Sequence, residues 1–297
     1  MTENGEAVSN LMSKSEYKIT YKKNEGKSFF QILYESFRSL QQSHFIAFQF
    51  AKRDINTQFR QSILGLTWVM IIPLLTAGVW ILLQQSNTIR FDQTKISYAL
   101  HVLSGILAWS ILTESIVSPT TSILNMRGSL SKINFPKEAL LLSGVYKTLF
   151  NSGAKIIVLL IIITISDLSL FSVQLMLLPI FIFLIILFGN SIGLLLTPFS
   201  LLFNDVQRLV PPAMSLLMYL SPVVYAEPKN SSGLFNKLVY WNPISPLIVN
   251  FRSCLYDLPF AQIEYCLIIF AFICFFLCLS LVVFRITMPV ITERISS

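Results

Sequence analysis

The sequence predicts an all-α, polytopic membrane protein. It is expected to have six transmembrane helices, an N-terminal amphipathic interfacial helix, and re-entrant outer gate helices between spans five and six. Three observations predict this. Over half of the 297 residues are hydrophobic and only 12% are charged, against about 25% in soluble domains. Uncharged runs recur at the length a bilayer requires. Six of the 13 prolines (Pro211, Pro212, Pro222, Pro228, Pro243 and Pro246) fall between residues 204 and 250. An interior proline removes a helix hydrogen bond, and backbone freed in hydrocarbon needs protein or a water-filled cavity to satisfy it. That segment therefore reads as a span followed by broken helices dipping back into the bilayer. An outer loop whose Trp and Tyr sit in the interfacial belt is the alternative.

Residues 1–28 are polar and mixed in charge, which predicts a disordered cytoplasmic tail without a cleavable signal. Gly26-Lys27-Ser28 is a fragment of a phosphate-binding loop, but Tyr21 stands where that pattern needs glycine. If transport is powered by ATP, the motor is then another chain. Residues 29–62 form the expected cytoplasmic gate region. Within it, 44–60 place Phe45, Phe48, Ile55 and Phe59 on one helical face, with Lys52, Arg53, Asp54 and Arg60 elsewhere. This predicts a helix on the membrane surface; a basic flank of the first span is the plainer reading.

The permease domain is expected over 63–285. Its spans are predicted at about 63–83 with a kink at Pro73, then 98–124, 139–165, 173–196 and 206–225. The sixth lies between Glu264 and Arg285, and 286–297 form a cytoplasmic tail. Lys and Arg at the span ends favour the N-terminus inside, so both termini are cytoplasmic. The net charge of +7 is carried beside apolar runs, so the basic residues read as topology determinants and lipid contacts rather than a nucleic-acid surface. The sequon Asn230-Ser231-Ser232 falls in a short outer loop, as an accidental match. Four cysteines without a CxxC pair and two histidines predict no metal site, no disulfide framework and no catalytic residue.

Three intramembrane charges need partners or water: Glu114, Lys147 and Lys155. Ser110, Glu114, Ser118 and Ser122 repeat every four residues, as do Ser143, Lys147, Asn151 and Lys155, so each set shares a face. Matching depths predict a Glu114–Lys147 pair, with Lys155 facing an aqueous path or a second subunit. The loop 125–138 mixes Met126, Leu130, Ile133 and Phe135 with Arg127, Lys132 and Lys137. It reads equally as a dock for a soluble partner or as a surface-lying turn.

These stretches together resemble the membrane subunits of type 2 ABC exporters for polysaccharides or polyol phosphates. The resemblance covers about residues 45–285. Its specific parts are Arg60-Gln61-Ser62-Ile63-Leu64-Gly65-Leu66-Thr67-Trp68, Ile133-Asn134-Phe135-Pro136-Lys137-Glu138, Asn204-Asp205-Val206-Gln207-Arg208-Leu209-Val210, Leu220-Ser221-Pro222-Val223-Val224-Tyr225 and Trp241-Asn242-Pro243-Ile244-Ser245-Pro246-Leu247. The long tail and the lysines of the third span depart from it.

The resemblance implies a homodimer in the bacterial cytoplasmic (inner) membrane, paired with two ABC ATP-binding subunits that hold the ATP and Mg, so this chain carries no cofactor and is no enzyme. It implies a coupling helix at Met126, Arg127, Leu130, Ile133 and Phe135, and a cytoplasmic gate at Arg53, Phe59 and Arg60. The substrate implied is a lipid-linked glycan of the O-antigen, capsule or teichoic acid kind. Aromatic rings can stack on sugar C–H faces and still let a chain slide, as they do on single-stranded nucleic acid. The path candidates are Tyr98, Trp109, Tyr219, Tyr225, Tyr240 and Trp241, whose plain alternative is the interfacial belt. Two rival classes are a permease for small hydrophobic molecules and a membrane-embedded enzyme. His44 and His101 lack the carboxylates the enzyme would need.

Overall fold

The computed structural model describes residues 28–60, 62–86, 96–130, 135–165, 173–226, 233–261 and 263–296. The readings made on residues 1–27, Lys132, Ile133 and the sequon lie outside these residues. Among the described residues the fold is helical with no strand. We number the helices α1 (Phe29–Phe59), α2 (Trp68–Gln85), α3 (Tyr98–Leu124), α4 (Glu138–Ile165), α5 (Leu178–Leu202), α6 (Asn204–Tyr219), α7 (Leu234–Trp241), α8 (Ile244–Tyr256) and α9 (Ile263–Ser296). Single 3-10 turns precede α2 and α5 and follow α3.

Five segments are long and apolar enough to cross a membrane: Gly65–Gln85, Tyr98–Leu124, Glu138–Ile165, Val173–Leu202 and Glu264–Glu293. The expected fifth of six spans is not among them. Helix α6 has 16 residues, about 24 Å at 1.5 Å per residue, and its first turn carries Asp205 and Arg208. The chain breaks at Phe203, whose backbone is extended, so α5 and α6 meet at a corner.

Helix α3 is the hub and packs against α2, α4, α5, α6 and α8. Small residues let its neighbours close in. A Cβ on Gly193 would overlap the Ile116 carbonyl oxygen, and one on Gly144 would lie 3.0 Å from the Pro119 backbone. Ser118 Oγ donates to the Gly144 carbonyl at 2.9 Å, and Thr120 meets Thr197 at 3.1 Å. These contacts fix the register of α3 against α4 and α5.

Helix α1 starts fifteen residues before the segment predicted as helical, and the physical reason is its packing face. Ser36, Ser43, Ala47, Ala51 and Asp54 are buried at helical spacing against α4. That face is small rather than apolar, so hydropathy does not reveal it. Phe30, Tyr34, Phe37, Phe45 and Phe48 form the opposite, exposed stripe, which is the side suited to a membrane surface. At the far end, α9 continues unbroken to Ser296, so 286–296 is helix rather than a separate tail.

Candidate functional site

Three features converge on α3. The first is the accessible face of α3, which borders one cavity toward α2 and another toward α5 and α6. Most of α3 is buried, but Ser110, Thr113, Glu114, Val117 and Thr121 are partly accessible. Their spacing places them on one face of the helix. Val117 touches the spaces on both sides, one toward α2 and one toward α5 and α6. The walls are apolar and open: Ile72, Leu75, Val79 and Leu82 of α2 and Leu209 and Leu216 of α6 are exposed. Toward the outer end a cavity of about 530 Å³ lies between α2 and α6, where the Trp80 and Tyr219 rings sit 6.1 Å apart.

The second feature is a cavity of about 510 Å³ between α2, α3 and α4. It runs from Asn125 and Gln58 at the inner end up to Ser110. Trp68, Ile72 and Pro73 form its apolar wall, and all three intramembrane charges line its polar wall. Lys155 Nζ pairs with Glu114 Oε2 at 2.8 Å, and Asn151 Nδ2 donates to Glu114 Oε1. The predicted Glu114–Lys147 pair is therefore replaced by Glu114–Lys155.

The reason is side-chain direction. Helical side chains lean toward the N-terminus of their own helix. The Ser118–Gly144 contact puts the Glu114 backbone level with Thr148 in this antiparallel pair. Glu114 leans outward and Lys147 leans inward, so they diverge. Lys155 starts about 10 Å further out and leans in, so it meets Glu114 beside Asn151. Lys147 lines the cavity half-buried, without an ion pair.

The third feature is the turn between α3 and α4. Met126, Leu130 and Phe135 are 9%, 2% and 6% exposed. Expected as a docking surface, they instead belong to an inner core cluster with Ile123, Leu201, Phe284 and Met288. The turn closes the inner end of the bundle, so its apolar residues face inward. Asn125, Arg127 and Gly128 are exposed in their place. Helix α1 is bound to this turn: Arg53 donates to Met126 Sδ and the Phe50 and Phe135 rings are 5.4 Å apart. Lys137 lies over Phe135 and donates to the Leu130 carbonyl. Burial pushes its ammonium down from the usual lysine range, opposed by the neighbouring Glu138 carboxylate. Arg285 of α9 then pairs with Glu138 at 2.9 Å and with Glu35 at 3.2 Å. The sequence reading missed this junction; a glutamate opening α4 and an arginine near the end of the last apolar run were its only signals. Of the other gate candidates, Phe59 is half-buried and Arg60 exposed.

At the outer end, α8 is buried along nearly its whole length. Arg252 is 3% exposed. Its guanidinium donates to the Pro222, Val223 and His101 carbonyls, and a Cβ on Gly105 would collide with it. Asn242 Nδ2 donates to the Leu220 carbonyl at 3.0 Å, and Tyr256 Oη to the Leu100 carbonyl at 3.0 Å. The structure separates the aromatic candidates. Tyr98 and Trp109 are buried in the core; Tyr219, Tyr240 and Trp241 are 50%, 42% and 69% exposed. Tyr225 is half-buried, with its hydroxyl donating to the Tyr219 carbonyl.

No protein-family model matches the chain. The O-antigen export system permease protein RfbA of Myxococcus xanthus is 23% identical over 231 residues, covering 76% of this chain and 86% of that protein. Two proteins of the same name from Klebsiella pneumoniae are 21% and 20% identical over 201 residues, covering 68% of this chain and 76% of each of them. The chain is similar to O-antigen export permeases. The motifs that carried the resemblance to type 2 ABC permeases border the three features. Arg60–Trp68 leads into α2, the described part of 133–138 opens α4, Asn204–Val210 opens α6, and Trp241–Leu247 joins α7 to α8. Among the described residues no cluster of His, Cys, Asp or Glu is placed to hold a metal ion.

Proposed function

We propose that this chain is the permease subunit of an ATP-driven exporter that moves a lipid-linked polysaccharide, of O-antigen or capsule type, across the cytoplasmic membrane. One observation carries the reading: a polar strip runs along the accessible face of α3, the most buried of the candidate membrane spans, and borders cavities on both sides. Ser110, Thr113, Glu114 and Thr121 would be a poor surface to leave against lipid. A second copy of the chain, laid against the exposed faces of α2 and α6, would roof the strip and make a polar passage. Trp80 and Tyr219 would line its outer half.

Six crossings fit this reading. Gln207 and Val210 lie beside Thr120 near the inner end of α3. Residues 222 and 223 meet Arg252 and, through it, His101 near the outer end. His101 to Thr120 is about 28 Å along the helix, so α6 and the turn after it traverse most of the bilayer despite the helix's brevity. The α7–α8 pair would then re-enter the outer third as the gate. Among the described residues, Arg38, Lys52, Arg60, Arg127 and Arg208 are exposed on the side this reading makes cytoplasmic and Lys237 on the other; with Arg90, Lys95 and Lys229 of the other side added from the sequence, the excess still favours cytoplasmic termini. The ATP-binding partner would dock on Asn125, Arg127 and Gly128 together with the adjoining part of α1.

The test is deletion in the native host with plasmid complementation. Loss of surface polysaccharide with lipid-linked glycan accumulating inside is expected. Thr113→Trp, placed on the strip, should restore the protein level but not export. Normal surface glycan in the deletion strain, with altered efflux of hydrophobic dyes, would instead identify a small-molecule permease.

A further inference from the structure

The cavity between α2, α3 and α4 holds two lysines and one carboxylate. Glu114 is engaged by Lys155 and Asn151, and among the described residues the Lys147 ammonium, which lines the cavity, makes no ion pair. Its Cα is nine residues into α4, about 14 Å beyond the inner end of that helix. A cation at that depth is costly unless it meets water or an anion. The lining also includes the side-chain amide of Asn125; the Ser110 and Thr121 hydroxyls donate to carbonyls of their own helix, and Asn151 donates to Glu114. At about 510 Å³ the space is far larger than one ion needs and falls in the range of pockets for small organic ligands.

Two further features say what kind of ligand. The cavity begins at the inner end, at Gln58 and Asn125, and one wall is apolar: Trp68, Ile72 and Pro73. Outside it, Ile72 is 61% exposed, and Phe150, on the next turn after Lys147, is 47% exposed. A ligand with a charged head and an apolar tail would satisfy both surfaces at once.

We propose that this cavity binds the phosphate-bearing headgroup of an amphiphile drawn from the inner leaflet. Lys147 is the anchoring cation, acting as a point charge on a phosphate oxygen. The Glu114–Lys155 pair is its fixed support: it keeps the carboxylate from neutralising Lys147, and Asn151 holds the carboxylate in place. The assignment rests on the exporter reading only for its choice of a lipid-linked phosphate as the natural ligand.

The experiment uses the full chain in phosphatidylcholine nanodiscs and native mass spectrometry. The probes are a long-chain polyisoprenyl phosphate, the matching polyisoprenol, phosphatidylglycerol and inorganic phosphate. Polyisoprenyl phosphate should be retained at least about tenfold better than the alcohol, the scale of one charge-assisted hydrogen bond. Lys147→Met should erase that preference and Lys147→Arg should keep it. Equal retention of phosphate and alcohol, or an unchanged preference in Lys147→Met, overturns the proposal. Inorganic phosphate bound as tightly as the amphiphile overturns the lipid source. Phosphatidylglycerol bound as well as the polyisoprenyl phosphate supports a general anionic-headgroup site. Lys147→Met needs no buried partner removed, and an unfolding temperature within a few degrees of wild type confirms that it folds. Failure here leaves the surface-glycan phenotype of the deletion strain intact, so the two readings fail separately.

Discussion

Replacing Lys155 by methionine is expected to destabilise the fold several times more than the same change at Lys147, although both lysines lie in one helix and line one cavity. The magnitude follows from burial. The Lys155 side chain is 5% exposed and Glu114 21%. Removing one partner of a buried pair leaves the other charge uncompensated, at a cost of about 3–5 kcal/mol. Glu114 borders an open cavity, where water can partly replace the lost ammonium, so the lower end applies, about 3 kcal/mol. At about 2–4 °C per kcal/mol this is a fall of about 6–12 °C in unfolding temperature. Lys147→Met removes a half-buried ammonium without an ion pair and should stay within about 1 kcal/mol of wild type. The double change Glu114→Gln with Lys155→Met removes both charges and should recover most of the loss. The assay is thermal unfolding of the purified chain in one detergent at one scan rate, since membrane-protein unfolding is commonly irreversible and rate-dependent. A fall from Lys147→Met as large as that from Lys155→Met would refute the register argument. So would a double variant no more stable than either single one.

Other perturbations separate the remaining contacts. Arg285→Met removes the ion pairs that Arg285 makes with Glu138, whose side chain is 2% exposed, and with Glu35 of α1; faster proteolysis within Phe29–Phe59 and a lower unfolding temperature are the expected readouts. Gly193→Ala forces a methyl onto the Ile116 carbonyl and should cost about 1–3 kcal/mol as overpacking. Gly153→Ala, with nothing near its Cβ, should be neutral or stabilise by up to about 1 kcal/mol through helix propensity; both are read in the same unfolding assay. Arg127→Glu should abolish co-purification with the ATP-binding subunit at unchanged unfolding temperature, whereas Met126→Asp should unfold the chain before any docking effect can be read.

What the sequence disclosed depended on which physical signal each element carries. Long apolar runs are unambiguous, so the spans ending at Leu124 and Ile165 lie where hydropathy put them. Helix α6 defeated the same reading because its run continues past Tyr219 into a non-helical turn, and hydropathy cannot see a backbone break. The first half of α1 was invisible because Ser36, Ser43 and Ala47 pack by being small. The repeats of four on α3 and α4 correctly brought Glu114, Lys147, Asn151 and Lys155 to one cavity, but backbone depth alone chose the wrong lysine. Met126, Leu130 and Phe135 carried an ambiguity no single sequence resolves: an apolar residue in a short loop serves its own core or a partner's groove equally well. In the structure they serve this chain's own core, and Arg127 beside them is exposed.

Arg252 shows how the outer end is held without a salt bridge to a carboxylate. A helix leaves its last carbonyls unsatisfied and carries partial negative charge at that end. Helix α6 stops at Tyr219, and the carbonyls of Pro222 and Val223 follow in the turn beyond it. The guanidinium of Arg252 meets both of them and the His101 carbonyl with its fixed fork of donors. One side chain thus satisfies backbone groups that hydrocarbon would leave stranded. In doing so it ties together α3, the turn after α6, and α8. A lysine, with three donors on a single nitrogen, could not span these acceptors. The proline-rich segment can therefore abandon regular helix at membrane depth because an arginine two elements later supplies its missing donors. Arg252 is thus an internal fastening of this corner of the fold, buried to 3% exposure.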